Sequence, residues 1–426
     1  MPDAASPPAP APRARVATTA ADVTTVARAL AGTARMAFDL ESNGLFAYRA
    51  CVCTLQLGSA ANGTTAALPP PAPYQLEEVM IIDALQAPLA PLSELLSDRG
   101  PVKVVHDVAF DARMLAEVGI SLGNCHDTAI AARMLGKTAT GLGSLLASEL
   151  GVTVDKSMQQ HDWSRRPFDD RALGYLALDV AHLEALDDVI WAAVRAAGIE
   201  DEVLEETRYR LGTAISAAKT PDLRPAWVRI KGIDRLGQAE LAILRRVAEL
   251  REKEAARLDV APYKVIGNEV LIAIAKARPR TLDELRKVRG AMQGPRAHGM
   301  AKEMLSAAVA GITDGTVPEV ERVWLDKPRV PPMVAKARRQ RESRIMAWRK
   351  SEAATRGVDE QAVLPGHCVK VLGDADTTTL DDVARVPGIG EFRARRYGEA
   401  ILKALTEGPV ADPKGAASVE PEHADE

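Results

Sequence analysis

The sequence predicts a mixed-sheet α/β domain followed by two copies of a small all-α domain. Three observations carry this. Short apolar or β-branched runs alternate with helical patterns as far as about residue 200. Strand signals then stop. Beyond that point the chain repeats itself: residues 251–290 align without a gap with 349–388, an offset of 98, and twelve of the 40 positions are identical.

The elements follow in order. Residues 1–24 are rich in Pro and Ala and lack an apolar core, so they read as a disordered arm and not as a secretory signal. Strands are predicted at Arg35–Leu40, Val52–Leu57, Val79–Asp83, Val102–His106 and Asn124–Thr128. Gly58–Tyr74 is small, polar and proline-rich, a surface loop or insertion. Helices are predicted at Val108–Val118, Thr128–Leu135 and Leu142–Leu150, then a loop to Phe168. One long amphipathic helix follows from Asp169 to Ala197, with Asp169 or Asp170 as N-cap and Gly198 as its stop. The α/β domain is thus expected over 25–205 and a connector with Pro221 and Pro225 over 206–232. The repeat sets helical domains at 233–313 and 336–407, with a proline-rich linker at 314–335 and an acidic disordered tail at 408–426. In each copy Thr281-Leu282-Asp283 or Thr379-Leu380-Asp381 puts an N-cap before helix formers. So joined, the second copy reads as a module that can be removed without touching the α/β core.

A chain of 426 residues exceeds a single core, and 47% hydrophobic with 26% charged residues marks a globular protein. No run of 18 apolar residues offers a membrane span. Four cysteines point to a reducing compartment, the cytoplasm, and Cys51 and Cys53 alternate on an apolar strand, a poor geometry for sharing a metal. The net charge of −4 conceals a split. Residues 1–200 stand at −8, 201–406 at +9 and the tail at −5. An acidic half that attracts cations is joined to a basic half suited to phosphates. Within Arg329–Lys350 lie eight Lys/Arg and one acid. Lys336, Arg338, Arg339, Arg341 and Arg344 are candidate contacts to a phosphate backbone; a solvated helix face is the plain alternative.

The chemistry sits in five residues. Asp39 and Glu41, two apart on a strand, point to one face while Phe38 and Leu40 face the other. Asp111 opens the helix after the fourth strand. Tyr175 and Asp179, four apart on a helix, stack on one face that is otherwise apolar. Alone, each has an ordinary reading: a solvated strand end, a charge in a first helical turn, a capping acid beside a core tyrosine. Four carboxylates brought together repel unless cations sit between them. Hard divalent cations prefer oxygen ligands, and two of them about 3.5–4 Å apart can clamp an in-line phosphoryl displacement. Asp39, Glu41 and Asp179 are then expected to share two ions, Asp111 to hold one directly or through water, and Tyr175 to aim the attacking water. No Ser/His/Asp or Cys/His set stands out.

Phe38-Asp39-Leu40-Glu41, Lys103-Val104-Val105-His106-x4-Asp111, and Asp162-Trp163-x3-Pro167 followed by Tyr175-x3-Asp179 resemble the motifs of the DEDD 3′–5′ exonucleases. The tyrosine places the chain in the DEDDy branch, where it is similar to the ribonuclease D family. Trp227-x-Arg229-Ile230-Lys231-Gly232 looks like that family's connector, and the two repeats look like HRDC domains, although Leu250 stands where the second copy has Trp348. The resemblance implies a ribonuclease H-like fold and two Mg²⁺ or Mn²⁺ ions. It implies hydrolysis of RNA from a free 3′ end, as in tRNA precursors, releasing nucleoside 5′-monophosphates from a monomeric enzyme. The same chemistry on DNA and a catalytically idle nucleic-acid scaffold are the alternatives. His106 is a candidate for the scissile phosphate, against a strand-end hydrogen bond. Leu45 is a candidate for the terminal bases, against ordinary turn chemistry. Trp163 is expected to pack its loop against the helix, and His182 to lie on a helix surface. Val386-Pro387-Gly388-Ile389-Gly390 resembles a hairpin whose amides can meet a phosphate, or a plain helix–helix turn.

Overall fold

The computed structural model describes residues 12–60, 74–155, 157–220, 222–325, 330–374 and 377–407. Among these, six strands form one mixed sheet: β1 (Arg13–Ala17), β2 (Arg35–Ser42), β3 (Val52–Gly58), β4 (Glu78–Asp83), β5 (Val102–Val105) and β6 (Cys125–Asp127), in the order β1-β4-β3-β2-β5-β6. β2, β3 and β4 run antiparallel to their neighbours in this trio, whereas β1–β4, β2–β5 and β5–β6 are parallel pairs. The helices of this part are α1 (Ala20–Leu30), α2 (Ser93–Leu96), α3 (Ala109–Glu117), α4 (Thr128–Met134), α5 (Leu142–Leu145), α6 (Asp170–Ala181), α7 (Leu183–Ala196) and α8 (Glu200–Lys219).

Period-2 alternation sorts β2 between two cores. Met36, Phe38 and Leu40 join Leu55, Leu57 and Ile82 in a core with α1 and α3. Ala37, on the opposite face, joins Ile81, Val104 and the α6 residues Leu176, Ala177 and Val180. Asp39 and Glu41 share the parity of Ala37, so they point toward α6.

Two expectations need correction. The arm was expected to be disordered as far as residue 24. Instead Arg13–Ala17 pairs in parallel with Glu78–Ile82 as an edge strand. α1 begins within the same stretch, with Thr19 and Asp22 forming a reciprocal capping box. Arg-Ala-Arg-Val-Ala buries only its last residue, so its hydropathy hides the pairing. Residues 1–11, most of the Gly58–Tyr74 insertion and the 408–426 tail lie outside the described residues. Second, the helix expected from Asp169 to Ala197 is two helices. Asp169 caps the first, accepting from the Ala172 N–H at 2.7 Å. The ladder breaks at His182 because the carbonyl of Ala181 accepts instead from the N–H of Leu76, 2.9 Å away. His182 is therefore buried with Nδ1 3.3 Å from the Tyr74 carbonyl, and not on a helix surface.

A connector holding short turns at Ala226–Arg229 and Ile233–Arg235 leads into the first helical domain: α9 (Gln238–Leu258), α10 (Asn268–Ala277), α11 (Leu282–Lys287), α12 (Gly294–Gly299) and α13 (Ala301–Asp314). After α14 (Glu319–Arg322) comes the second: α15 (Pro332–Arg356), α16 (Glu360–Val363), α17 (Gly366–Asp374), α18 (Leu380–Ala384) and α19 (Gly390–Glu407). The repeat is physical. Arg251 and Arg349 are both buried and both donate to main-chain carbonyls of the segment that follows their helix, Ile266 and Glu360. Thr281 and Thr379 both cap a short helix. α9 and α13 cross so closely that a Cβ on Gly311 stands 2.4 Å from the Cα of Ile243. Gly311→Ala should cost about 1–3 kcal/mol by overpacking, read as a lower urea midpoint.

Neither helical domain stands free. The loop after β2 docks on the first: Tyr263 Oη donates to the Leu45 carbonyl at 2.9 Å, the Ala261 N–H to the Phe46 carbonyl at 3.2 Å, and Lys264 Nζ lies 3.6 Å above the Phe46 ring. The second is fastened to α8 through buried acids. Glu205 accepts from the backbone N–H of Phe392 at 2.6 Å and from Arg393, itself fully buried, whose guanidinium also donates to the Glu202 carbonyl at 2.8 Å. Glu202 in turn meets Arg356 at 3.0 Å. The second helical domain is thus a separate unit in sequence that packs on α8, and its removal would strip the partners from acids that α8 buries. Of the two readings of Val386–Gly390, the helix–helix turn is the one formed, between α18 and α19. Gly390 has φ +80, and a Cβ there stands 2.2 Å from the Glu205 carboxyl carbon, so this turn leads into an α19 N-terminus that receives the carboxylate of its own chain. No helix among the described residues is long and apolar enough to cross a membrane.

Candidate active site

β2 and α6 build the centre. Asp39 and Glu41 leave β2 on the α6 side, and Tyr175 and Asp179 meet them from one face of α6. One carboxylate oxygen each from Asp39, Glu41 and Asp179 can be chosen so that all lie within 4.8 Å of one another. Burial pushes the Asp39 carboxyl up to about 7, and burial and the Asp39 charge push Asp179 to about 8. Glu41 rises to about 9 through burial and the charges of Asp39 and Asp179. These causes include no lysine or arginine, and carboxylates crowded without a counter-charge are what a hard cation satisfies. An all-oxygen, uncompensated set of three fits a divalent metal.

Asp111 lies in the first turn of α3 and is buried outside that trio. Burial, then the charges of Asp39 and Glu41, raise it well above the carboxylate range, so it faces the same centre. Its helix is placed by a residue the sequence did not single out. Asp127, at the end of β6, accepts from the N–H of Asp107 and Val108 at 3.2 and 2.8 Å. It also caps α4 through Ala129 and Ile130 at 2.9 and 3.0 Å. One buried carboxylate thus ties the turn before α3 to the start of α4, and Asp107 takes φ +64 to make that turn. Tyr175 is half-buried. Burial and the charges of Asp179, Glu41 and Asp39 hold its phenol well above 10, so it keeps its proton. Trp163 packs its loop against α6 with its ring 5.5 Å from that of Tyr175.

Other residues close the site. Asp39 is opposite Gln56 and Glu41 opposite Thr54 in the β2–β3 register, which puts both β3 side chains on the face that carries the carboxylates. Gln56 Nε2 donates to Thr54 Oγ1 at 2.7 Å, and its Oε1 is buried without a partner among the described residues. Arg166 grips Asp83 with two bonds of 2.6 and 2.7 Å and donates to the Cys53 carbonyl at 3.1 Å, pinning the Trp163 loop to the end of the sheet. Thr54, Gln56 and Arg166 were missed. The polar alternation Thr-x-Gln on an apolar strand was the one available signal.

The nucleic-acid candidates fare unevenly. His106 Nδ1 lies 2.9 Å from Thr128 Oγ1, whose hydroxyl donates to the Val105 carbonyl, so its strand-end hydrogen bond is formed. Leu45 exposes its side chain beside the fastened loop. On α15, Arg338 pairs with Glu342 and Asp374, Arg341 donates to the Gly373 carbonyl at 3.0 Å, and Arg344 donates to the Leu405 carbonyl. These three guanidiniums brace the second helical domain. Lys336 and Arg339 alone of the five are exposed.

Comparison with known proteins adds to this geometry. A 3′–5′ exonuclease family profile matches residues 14–195, and an HRDC domain profile matches 240–307 and 339–405. A ribonuclease D of Nitrobacter hamburgensis is 26% identical over 92% of this chain and 95% of its own length. One from Gluconacetobacter diazotrophicus is 28% identical over 58% of this chain. Of that protein, and of the one from Granulibacter bethesdensis, the matched part spans 63% and 65%. Among solved structures, Escherichia coli RNase D, described as an exoribonuclease involved in structured RNA processing, superposes with a TM-score of 0.62. It is 23% identical and covers 93% of this chain and all of that one. A Bifidobacterium adolescentis protein gives a TM-score of 0.69 at 21% identity over 92% of this chain. These likenesses show the fold.

Proposed function

We propose that this ribonuclease D-like chain, with its 3′–5′ exonuclease domain followed by two HRDC domains, is a metal-dependent exoribonuclease that removes nucleoside 5′-monophosphates from RNA 3′ ends. The observation that carries the proposal is the trio Asp39, Glu41 and Asp179 with Tyr175 on the same helix face. Asp39, Glu41 and Asp179 would hold two Mg²⁺ or Mn²⁺ ions, with Asp111 joining directly or through water. When bound, such ions supply an activated water and stabilise charge on the leaving 3′ oxygen. The chain's own part is orientation. Tyr175, kept protonated, offers a hydroxyl that both donates and accepts and so aims the attacking water. Trp163 fixes the tilt of its ring. Asp127 and Arg166 hold the two loops that frame the centre.

RNA with a free 3′ end, such as a tRNA precursor, is the first choice of substrate, supported by the ribonuclease D relatives. Four unpaired cysteines support work in the cytoplasm. The test is incubation of 5′-labelled RNA and DNA oligonucleotides with Mg²⁺ or Mn²⁺, and with a chelator. Stepwise 3′ shortening of RNA that the chelator stops is expected. DNA shortened in place of RNA would transfer the activity to the rival substrate, and binding without any cleavage would leave a nucleic-acid scaffold. Tyr175→Phe should lower kcat by about 100-fold with RNA binding retained; an unchanged kcat would remove the tyrosine from the mechanism.

A further inference from the structure

A cavity of about 520 Å³ opens where three parts of the chain meet: the loop after β2, the connector turn at Ala226–Ile230, and α9 with Pro262 and Asn268 of the first helical domain. Its charged lining is Arg49, Arg229 and Arg251 against one carboxylate, Glu252. Arg251 is engaged, bonded to Glu252 at 2.9 Å and to Asn268 Oδ1 at 2.7 Å. Arg49 and Arg229 are exposed, and neither guanidinium makes a hydrogen bond or ion pair with any described residue. Some exposed arginines hold a carboxylate, as Arg99 holds Glu94, Arg224 holds Asp222 and Arg257 holds Glu254, and others, such as Arg28 and Arg289, stand alone among the described residues; what sets Arg49 and Arg229 apart is that they line one cavity together. Two unengaged guanidiniums lining one cavity, with the only acid already paired, make a place for a phosphate, which a planar guanidinium meets with two parallel hydrogen bonds.

The place has an address relative to the carboxylates. Ser42 pairs with Val52, so Arg49 lies three residues from a strand end that adjoins Glu41. Three extended residues reach at most about 10 Å. Phosphates follow one another at about 3.4 Å along a stacked strand, so a strand whose 3′ end lies at Asp39 and Glu41 brings its phosphates past Arg49 within a few nucleotides. The loop cannot swing clear, because Tyr263, Ala261 and Lys264 fasten Leu45 and Phe46 to the domain that forms the other wall.

We propose that Arg49 and Arg229 hold backbone phosphates of the RNA strand a few nucleotides upstream of its 3′ end. The cleft between loop, connector and first helical domain is then a track that feeds the strand to the carboxylates. This rests on the exonuclease reading, and the test separates the two. Full-length Arg49→Ala/Arg229→Ala is compared with the wild type on a hexaribonucleotide and a diribonucleotide. Binding of the fluorescent hexamer is followed by anisotropy in chelator. KM for the hexamer should rise about tenfold or more with kcat unchanged, and dinucleotide cleavage should not move. The salt slope of hexamer binding should fall by about 1.4, or 0.7 per lost phosphate contact on a single strand. Arg49→Lys/Arg229→Lys should keep the salt slope and lose part of the hexamer affinity, since the charges stay and the paired hydrogen bonds of the guanidinium do not. Equal losses on both substrates, or an unchanged salt slope, overturn the proposal. So does weaker inhibition by AMP with unchanged hexamer binding, which would make the cavity a mononucleotide pocket. If the wild type cleaves neither substrate the exonuclease reading falls, and the binding arm still judges the arginines.

Discussion

Replacing Asp39 by Asn should lower kcat by about a thousandfold or more and yet leave a protein that melts higher in metal-free buffer. The two effects share one cause. Asp39 stands with Glu41 and Asp179 in a trio of oxygens within 4.8 Å; burial raises all three carboxyls above their ordinary range, and the Asp39 charge adds to the rise of the other two. As pH rises through about 7 to 9 the three groups ionise, and there neutralising one relieves a like-charge contact that, at partial exposure, is worth on the order of 1 kcal/mol, or about 2–4 °C. The same change removes a ligand whose loss costs about 4 kcal/mol of transition-state stabilisation, taken as a thousandfold. Melting curves with and without Mn²⁺ make the link visible. The ion should raise the wild-type midpoint and leave that of the variant nearly fixed. A variant that keeps its activity, or that melts lower in chelator and still gains from Mn²⁺, would show that the trio is not the metal centre.

Arg393→Met should destabilise the protein by about 3 kcal/mol, the loss expected when one partner of a buried ion pair is removed. Arg393 is fully buried and reaches the Glu205 carboxylate together with the carbonyls of Ala362, Ile389 and Glu202. Its loss leaves Glu205 with two backbone N–H groups and no hydrogen-bonded cation, Arg208 acting on it only through its charge. The second helical domain should then part from α8 before the rest unfolds, seen as an early phase in urea and as new protease cleavage near α19. Adding Glu205→Leu to Arg393→Met should recover much of the loss, since an apolar pair of similar volume avoids the desolvation of both charges. If the single variant unfolds in one step at the wild-type midpoint, the buried pair contributes nothing.

The sequence revealed what is decided locally. Asp39 and Glu41 share a face because strands alternate, and Tyr175 and Asp179 share one because helices repeat near four. Neither rule needs the rest of the chain. Gln56 and Thr54 stayed hidden because their place opposite Asp39 and Glu41 depends on the β2–β3 register. The break at His182 depends on a Leu76 N–H more than a hundred residues earlier, which no helical pattern contains. Arg-Ala-Arg-Val-Ala conceals an edge strand because an edge needs a partner for its backbone and little burial of its side chains. The basic run on α15 was legible as charge but not as structure: Arg338, Arg341 and Arg344 turn inward to brace their own domain, while Arg49 and Arg229, in no run at all, are left unengaged beside the cavity.

The Glu205–Arg393 attachment also bears on how this protein can be taken apart and recombined. The proline-rich stretch between the helical domains looks like the natural seam for a chimera or a truncation. It is a seam in the covalent chain only. The energetic seam runs between α8 and α19, so a graft that brings in a foreign second domain must bring a matching set of acids on the recipient's α8. A truncated enzyme for crystallisation or biotechnology would express better with Glu202 and Glu205 replaced by neutral residues than with the wild-type helix left bare.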